Sequence, residues 1–277
     1  MGFLGVFGVA IFLFLSGYAA MVSYLKKPDY IKGYIPKRMV RLYVPFLISF
    51  LFCNIVLLIS GHNFSANDFL GAIILSLPNT LNWYLKVQLA FYLLFYIFAK
   101  IYNDPKKIIV LIYACCLVYM VIGVITGIDN FWYESCYMFP VGMTFAIYKD
   151  KIYNFIDQNY WLKLILSVLV FVISSIPVYF YGGVFAEILF VIGFMQLLVV
   201  ICVRFRGNSQ IAAYLGTLSL EIYLAHAIAP NIVKLFYTGE INIISFIVTL
   251  LIAFLFAFAT SKISKFLSNK ILKKKRR

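Results

Sequence analysis

The stretch IIVLIYACCLVYMVIGVIT, residues 108–126, contains no charged side chain and decides the fold class. About 20 consecutive apolar residues are what an α-helix needs to cross the ~30 Å hydrocarbon core of a membrane. The rest of the chain repeats this pattern, because 64% of its 277 residues are hydrophobic and only 12% are charged. A water-soluble domain has too little interior for so many apolar side chains. The sequence therefore predicts an integral membrane protein.

Similar apolar runs predict an all-α, polytopic membrane helix bundle with about nine spans. The predicted spans are Phe3–Leu25, Leu42–Ser60, Trp83–Ile101, Ile108–Thr126, Tyr133–Tyr148, Leu162–Phe180, Val184–Val203, Ile211–Ala229 and Ile243–Ser261. The fifth contains Pro140 and Gly142, so a tilted or broken helix is expected there. The run Phe69–Leu77 is too short to cross and predicts an interfacial or re-entrant helix. One integral-membrane domain is expected over residues 1–277, with a basic cytoplasmic tail at 262–277.

The basic residues lie almost entirely on one side of the predicted membrane. The net charge is +14, and all but two of the 24 lysines and arginines, Lys86 and Lys234, fall on that side. Basic loops remain in the cytoplasm, where they face anionic lipid. We therefore expect a multi-pass protein of the plasma or inner membrane, with the C-terminus inside and the N-terminus outside. Because the basic residues are concentrated in the loops between apolar spans, we expect them to face the lipid bilayer and do not expect nucleic acid as a partner.

Ionisable side chains inside spans cost about 2.5–3.5 kcal/mol each on insertion scales, so each needs a reason. Glu221 lies midway along the eighth span, and His226 lies towards the external end of the same helix. Glu187 lies near the outer end of the seventh span. His226 is a candidate proton shuttle or substrate contact, and Glu221 is a candidate support for the same polar site. A hydrogen bond to a neighbouring helix would also explain each of these residues. The i, i+5 spacing places Glu221 and His226 about 140° apart around the helix.

Two residue pairs are candidates for binding. Arg38 and Arg41 are three residues apart and share a helical face, where two guanidinium groups suit a phosphate or a diphosphate. Topogenic charge is the alternative explanation for them. Trp83 and Tyr84 begin the third span, where aromatic residues form an interfacial belt or stack against a sugar ring. The chain has only two histidines and no cluster with metal-ligand spacing, so no metal site is predicted.

Four segments of the chain form a recognisable series. They are GVAIFLFLSGY (Gly8–Tyr18), KRMVRLYVP (Lys37–Pro45), NWYLKVQLAFYLLF (Asn82–Phe95) and YLGTLSLEIYLAHAI (Tyr214–Ile228). In order and spacing they resemble the membrane-bound acyltransferase-3 family, whose members mostly O-acetylate sugars of surface polysaccharides and related glycans. The resemblance covers nearly the whole chain. It implies a bundle of about ten helices and transfer of an acyl group, expected to be acetyl, from cytoplasmic acyl-CoA to an outward-facing glycan hydroxyl.

The resemblance also implies roles for individual residues. Arg38 and Arg41 match the family's cytoplasmic arginines and are expected to contact the phosphates of acetyl-CoA. Ser16 matches the signature serine, and Tyr223 and His226 match the tyrosine and histidine of the late motif. Glu221 does not match a fixed position of the family and, like Trp83 and Tyr84, is a candidate from the residues themselves. The candidate site is His226, Tyr223 and Glu221 for catalysis, Arg38, Arg41 and Ser16 for the cofactor, and Trp83 and Tyr84 for the substrate. A histidine can accept the acceptor's hydroxyl proton, and Tyr223 is a candidate donor to the developing oxyanion.

One feature of the family is not in this sequence. Members begin with an additional helix that carries an arginine and a histidine, the latter regarded as the catalytic base, whereas this sequence starts directly before the glycine–valine signature. Either a start codon assigned too late or a truncated, inactive acyltransferase remnant would explain this, and His226 as a substitute base is a further hypothesis. A non-catalytic exporter or flippase of lipid-linked glycans is the alternative from another functional class. The acceptor sugar and the oligomeric state stay open.

Overall fold

The computed structural model describes residues 5–27, 29–59, 61, 82–204, 210–226, 228–237 and 242–274. Over these residues the chain forms ten α-helices and one short 3₁₀ helix, Asn130–Trp132, and no strand. The helices are α1 (Gly5–Lys26), α2 (Tyr34–Ile59), α3 (Asn82–Ile101), α4 (Pro105–Thr126), α5 (Met138–Asp157), α6 (Tyr160–Phe180), α7 (Val184–Arg204), α8 (Gln210–Ala225), α9 (Ala229–Phe236) and α10 (Ile243–Lys274). The predicted all-α fold is confirmed. The predicted interfacial helix Phe69–Leu77 lies outside the described residues.

Seven of the described helices are long and apolar enough to cross a membrane, namely α1, α2, α3, α4, α6, α7 and α10. The other two predicted spans correspond to α5 and α8. The second half of α5 carries Lys149, Asp150 and Lys151, and α8 has only 16 residues. Each predicted span thus overlaps a described helix, and the molecule is a polytopic helical membrane protein.

Helices α2 and α5 have boundaries that differ clearly from those of the predicted spans. Helix α2 begins at Tyr34 and not at Leu42, so Arg38 lies within its second turn. Helix α5 begins at Met138, because residues 133–137 form turns, and it continues to Asp157. Hydropathy detects only the apolar part of a helix, whereas lysine and arginine are good helix formers that extend it beyond the hydrocarbon core.

Most of the segment predicted as a basic tail continues the last helix. Helix α10 extends from Ile243 to Lys274 without interruption. Ser261, Ser264 and Ser268 are buried, and their spacing of three and four residues places them on one face of this helix. The helical extension therefore packs against the protein along that face.

The chain divides into two compact units, each built from two separate stretches of sequence. The first unit comprises Met1–Lys32 and Val87–Gly207, and the second comprises Gly33–Lys86 and Asn208–Arg277. In the second unit α10 packs against α2, α8 and α9. A cluster of small residues, Ala225, Ala229, Ala253 and Ala257, is buried where these helices meet. Small side chains let membrane helices approach closely.

In the first unit α1 packs most extensively against α5. A Cβ atom at Gly17 would lie 1.9 Å from the carbonyl oxygen of Phe139, and one at Gly142 would lie 2.0 Å from that of Phe14. Any larger residue would collide with the facing backbone at both positions. Gly17 of the signature segment and Gly142 of α5 therefore serve helix packing in this unit.

Candidate functional site

Four of the eight predicted site residues form one aromatic cluster in the second unit. The ring centroids of Tyr84 and Tyr223 are 5.1 Å apart, and those of Tyr223 and His226 are 5.2 Å apart. Trp83 packs edge-on against Tyr84 with its centroid at 6.2 Å. Trp83 and Tyr84 are each only 3% exposed, so both rings lie inside the protein and not on a lipid-facing belt. We call Trp83, Tyr84, Tyr223 and His226 the aromatic cluster.

The position of His226 is set by the end of α8. The helix ends at Ala225, and His226 occupies the following turn, where its side chain is exposed. Its Nδ1 atom is hydrogen-bonded to the backbone carbonyl oxygen of Tyr223. A carbonyl oxygen can only accept a hydrogen bond, so a neutral His226 carries its proton on Nδ1. The Nε2 lone pair is then left available to accept a proton from another molecule.

Glu221 makes its contact elsewhere in the second unit. It is 5% exposed, and Ser264 Oγ of α10 donates a hydrogen bond of 3.2 Å to its Oε1. This contact is the interhelical hydrogen bond that the alternative explanation expected. The structure thus joins Glu221 to Ser264, whereas Tyr223 and His226 belong to the aromatic cluster. A catalytic role for Glu221 stays a prediction.

Arg38 and Arg41 lie near the start of α2, also in the second unit. The Arg38 guanidinium carbon is 5.5 Å from the centre of the Tyr34 ring, and Tyr34 is buried. Arg41 lies one turn further along the same helical face and is exposed. A guanidinium group stacked on a buried ring is held in place. Two guanidinium groups on one helical face fit the chemistry of the diphosphate in an acyl-CoA.

Ser16 is the one predicted site residue that lies in the first unit. It occupies α1 and is half-buried, next to the tightly packed Gly17. Its assignment to the cofactor stays a prediction.

The first unit contains a group of polar residues that the sequence revealed only in part. Asn130 Nδ2 donates a hydrogen bond of 3.2 Å to Glu187 Oε2, and the Tyr133 hydroxyl donates one of 3.1 Å to Asn130 Oδ1. Glu134, which is 8% exposed, shares a side-chain hydrogen bond with Glu187. We call Asn130, Tyr133, Glu134 and Glu187 the carboxyl cluster. The sequence analysis identified Glu187 as a candidate polar residue but missed Glu134. The signal that could have identified Glu134 is its position at the start of the predicted fifth span.

Glu134 is the carboxyl group of this cluster whose pKa is raised. A hydrogen bond between two carboxyl groups requires one of them to be protonated. Burial, together with hydrogen bonding and repulsion from Glu187, raises the pKa of Glu134 to about 8. Glu134 lies in the turn before α5, outside the membrane-spanning helices. It is therefore the group expected to hold the proton at neutral pH.

The helices and the aromatic cluster together define a multi-pass membrane protein with an exposed imidazole beside buried aromatic rings. The chain belongs to the acyltransferase-3 family, since the family model, described as an acyltransferase domain, matches residues 1–262. No curated protein and no solved structure matches it significantly. The resemblance stated from the sequence is thus confirmed. Membership of the family implies acyltransferase activity and an acyl donor.

Proposed function

We propose that this protein is an O-acetyltransferase that transfers the acetyl group of acetyl-CoA to a hydroxyl of a surface polysaccharide or lipid-linked glycan. The family supplies the reaction class. The sequence resemblance supplies the donor and the class of acceptor. The single observation that carries the proposal is the hydrogen bond between His226 Nδ1 and the Tyr223 carbonyl, because it leaves Nε2 as a base beside aromatic rings.

The aromatic cluster suits a carbohydrate acceptor. Aromatic faces pack against the apolar C–H face of a sugar ring, and the hydroxyl groups at the ring edge then point sideways towards a polar partner. Tyr84 is buried and supports the half-buried Tyr223, which lies beside the exposed His226. A sugar packed on Tyr223 would present a hydroxyl within reach of the imidazole.

The second unit also offers groups for the donor. Arg38 and Arg41 would hold the diphosphate of acetyl-CoA at the start of α2, which the charge distribution predicts to lie on the cytoplasmic side. When bound, this donor supplies the activated acetyl thioester. Bidentate guanidinium contacts would fix its orientation and lower the entropic cost of the encounter.

His226 would perform the proton transfer. A hydroxyl is a poor nucleophile until its proton is removed, and Nε2 would accept that proton as the oxygen attacks the acetyl carbonyl. The Nδ1 hydrogen bond to Tyr223 would hold the ring orientation and stabilise the imidazolium that forms. The proton would then pass to the departing thiolate, which restores the neutral histidine.

The direct test is acetyl transfer in membranes from the native host. Radiolabelled acetyl-CoA is added to membranes from the wild type, a gene deletion, and a deletion complemented with His226→Gln or with Thr217→Ala. Thr217 is the matched control, because it is exposed on α8 and its hydroxyl bonds only within its own helix, to the carbonyl of Tyr214. Loss of a general base lowers the rate about 10²–10⁴-fold.

We expect labelled glycan from the wild type and from Thr217→Ala. The gene deletion should give none, and His226→Gln should give at least about a hundred-fold less. Full activity of His226→Gln at equal protein level would overturn the role of His226 as the base. Glycan export that depends on the gene, without any incorporation of label, would favour an exporter or flippase instead.

A further inference from the structure

The first unit contains a groove that the acetyl-transfer site does not use. It has a volume of about 680 Å³ and is lined by residues of α1 and of α4 to α7, including Tyr113, Val141, Phe155, Leu166, Ile192 and Gln196. This volume lies within the ~300–1,000 Å³ range of ligand pockets. Nearly all of the lining side chains are apolar, and α1, α4, α6 and α7 are candidate membrane spans. We call this feature the lateral groove.

The lateral groove is long. On α5 its lining residues extend from Met138 to Ile156. At 1.5 Å per residue this stretch measures about 27 Å. An extended alkyl chain laid along α5 therefore matches the groove in length and polarity.

One end of the groove is basic. Lys163 lines it directly, and Arg204 lies one turn beyond the lining residue Val200. The Lys163 ammonium is 3.8 Å from the centre of the Phe155 ring, and the Arg204 guanidinium is 5.7 Å from that of Tyr160. Such stacking lets the stem of a cation cover apolar surface while its charge stays at the membrane boundary.

Neighbouring charges leave this end positive. The helix ends here carry four basic residues and two acidic ones. The basic residues are Lys149, Lys151, Lys163 and Arg204, and the acidic residues are Asp150 and Asp157. Lys163 donates a hydrogen bond to the Gln158 carbonyl oxygen, which uses one of its three N–H donors. The sequence predicts this side to be cytoplasmic, where the leaflet is anionic.

The opposite end of the groove lies next to the carboxyl cluster. Tyr137 lines it there, and its hydroxyl donates a hydrogen bond of 2.9 Å to the Ile188 carbonyl oxygen, next to Glu187 of the carboxyl cluster. An anionic headgroup is therefore favoured at the Lys163 end, because Lys163 is the one charged residue among the described residues that line the groove.

We propose that the lateral groove binds an acyl chain of an anionic phospholipid from the cytoplasmic leaflet, with the lipid phosphate against Lys163 and Arg204. A neutral phospholipid would fill the same apolar surface but would not be attracted by the basic end. Each cation near the headgroup contributes about a five-fold preference for the anionic lipid. The site is independent of acetyl transfer, so its test needs no activity assay.

The test uses tryptophan fluorescence of the purified full-length chain in vesicles of dibrominated phosphatidylcholine, which quenches tryptophan on contact. Leu166→Trp places a reporter in the groove, and Val168→Trp places one on the other side of the same helix, where it faces lipid but does not line the groove. Both carry Trp161→Phe, because exposed Trp161 would add background. Phe155→Trp is a second groove reporter should Leu166→Trp not fold, since Phe155 also lines the groove and is 65% exposed.

Unbrominated phosphatidylglycerol is then titrated into the vesicles. We expect the groove reporter to recover fluorescence at a phosphatidylglycerol fraction at least about five-fold lower than the Val168→Trp control. Lys163→Gln and Arg204→Gln should each reduce this preference. Lys106→Gln should not, because Lys106 is exposed at the start of α4 and does not line the groove. Coincident recovery curves at the two reporter positions, or a preference unchanged by Lys163→Gln, would overturn the proposal.

Discussion

The rings of Tyr84 and Tyr223 pack with their centroids 5.1 Å apart, which joins the first turn of α3 to the last turn of α8. An aromatic pair of this kind contributes about 0.5–1.5 kcal/mol beyond the burial of its area. Tyr223 in turn holds His226 through its backbone carbonyl. The position of the candidate base therefore depends on a contact between two distant parts of the chain.

Replacing Tyr84 should impair acetyl transfer through this contact. Tyr84→Leu removes the ring that packs against Tyr223, and we expect activity to fall about ten-fold, which corresponds to the loss of one aromatic pair. Tyr84→Phe keeps the ring and is the matched control. Steady-state rates in membranes at equal protein level would check this. Equal loss in both variants would show that the hydroxyl matters and not the packing.

Replacing the arginines of α2 should weaken binding of the acyl donor. A hydrogen bond to a charged group contributes about 1.5–3 kcal/mol, so Arg38→Gln or Arg41→Gln should raise the KM for acetyl-CoA at least about ten-fold. Arg38→Lys should recover only part of this, because an ammonium group cannot form a bidentate contact. Lys37→Gln, an exposed neighbour on the same helix, is the control. If kcat fell while KM stayed constant, the arginines would not be donor-binding residues.

Gly17 should tolerate no larger residue. A Cβ there would meet the Phe139 carbonyl oxygen at 1.9 Å, so Gly17→Ala must separate α1 from α5. Overpacking of this kind costs about 1–3 kcal/mol. On the same helix, a Cβ atom added at Gly8 would meet nothing within 4 Å, and Gly8→Ala should be neutral or slightly stabilising. Thermal unfolding of the two purified variants distinguishes them, and equal midpoints would contradict the close packing of α1 on α5.

Glu221 and Ser264 should be energetically coupled. Ser264→Ala removes the donor to a buried carboxyl group and should cost about 1–3 kcal/mol. In the Glu221→Gln background, Ser264→Ala should lower the free energy of unfolding by less. An uncharged amide loses less than a carboxylate when the Ser264 hydroxyl no longer donates to it. A double-mutant cycle measured by chemical unfolding gives the coupling energy. Additive effects would mean that the two side chains do not interact.

The carboxyl cluster should make stability depend on pH. Burial raises the pKa of Glu134 from 4.5 to about 8, so the folded protein holds a proton that the unfolded chain releases between these values. Stability should therefore decrease as the pH rises from about 4.5 to about 8 and should level off above that. Glu134→Gln should flatten this dependence in thermal unfolding, whereas Asp129→Asn, at an exposed neighbour, should leave it unchanged. If stability still decreased with rising pH in Glu134→Gln, the pH dependence would belong to another ionisable group.

Local patterns predicted the helices better than their ends. Residues 108–126 lie within α4, and the predicted sixth and seventh spans coincide with α6 and α7 to within two residues. The start of α2 and both ends of α5 were misplaced, because hydropathy reports where a helix meets hydrocarbon and not where its hydrogen bonds begin or end. The four segments that resemble the family were sufficient to assign it, and residues 1–262 match its model.

The sequence by itself determined that this chain is a helical membrane protein of the acyltransferase-3 family, because apolar run length, basic loops and short motifs are all local properties. Only the tertiary structure decided which polar residues meet. It placed Tyr84 beside Tyr223, paired Glu221 with Ser264, and joined Glu134 to Glu187. The partners in these pairs lie on different elements of the chain, so their proximity follows from helix packing, which no local pattern of residues encodes.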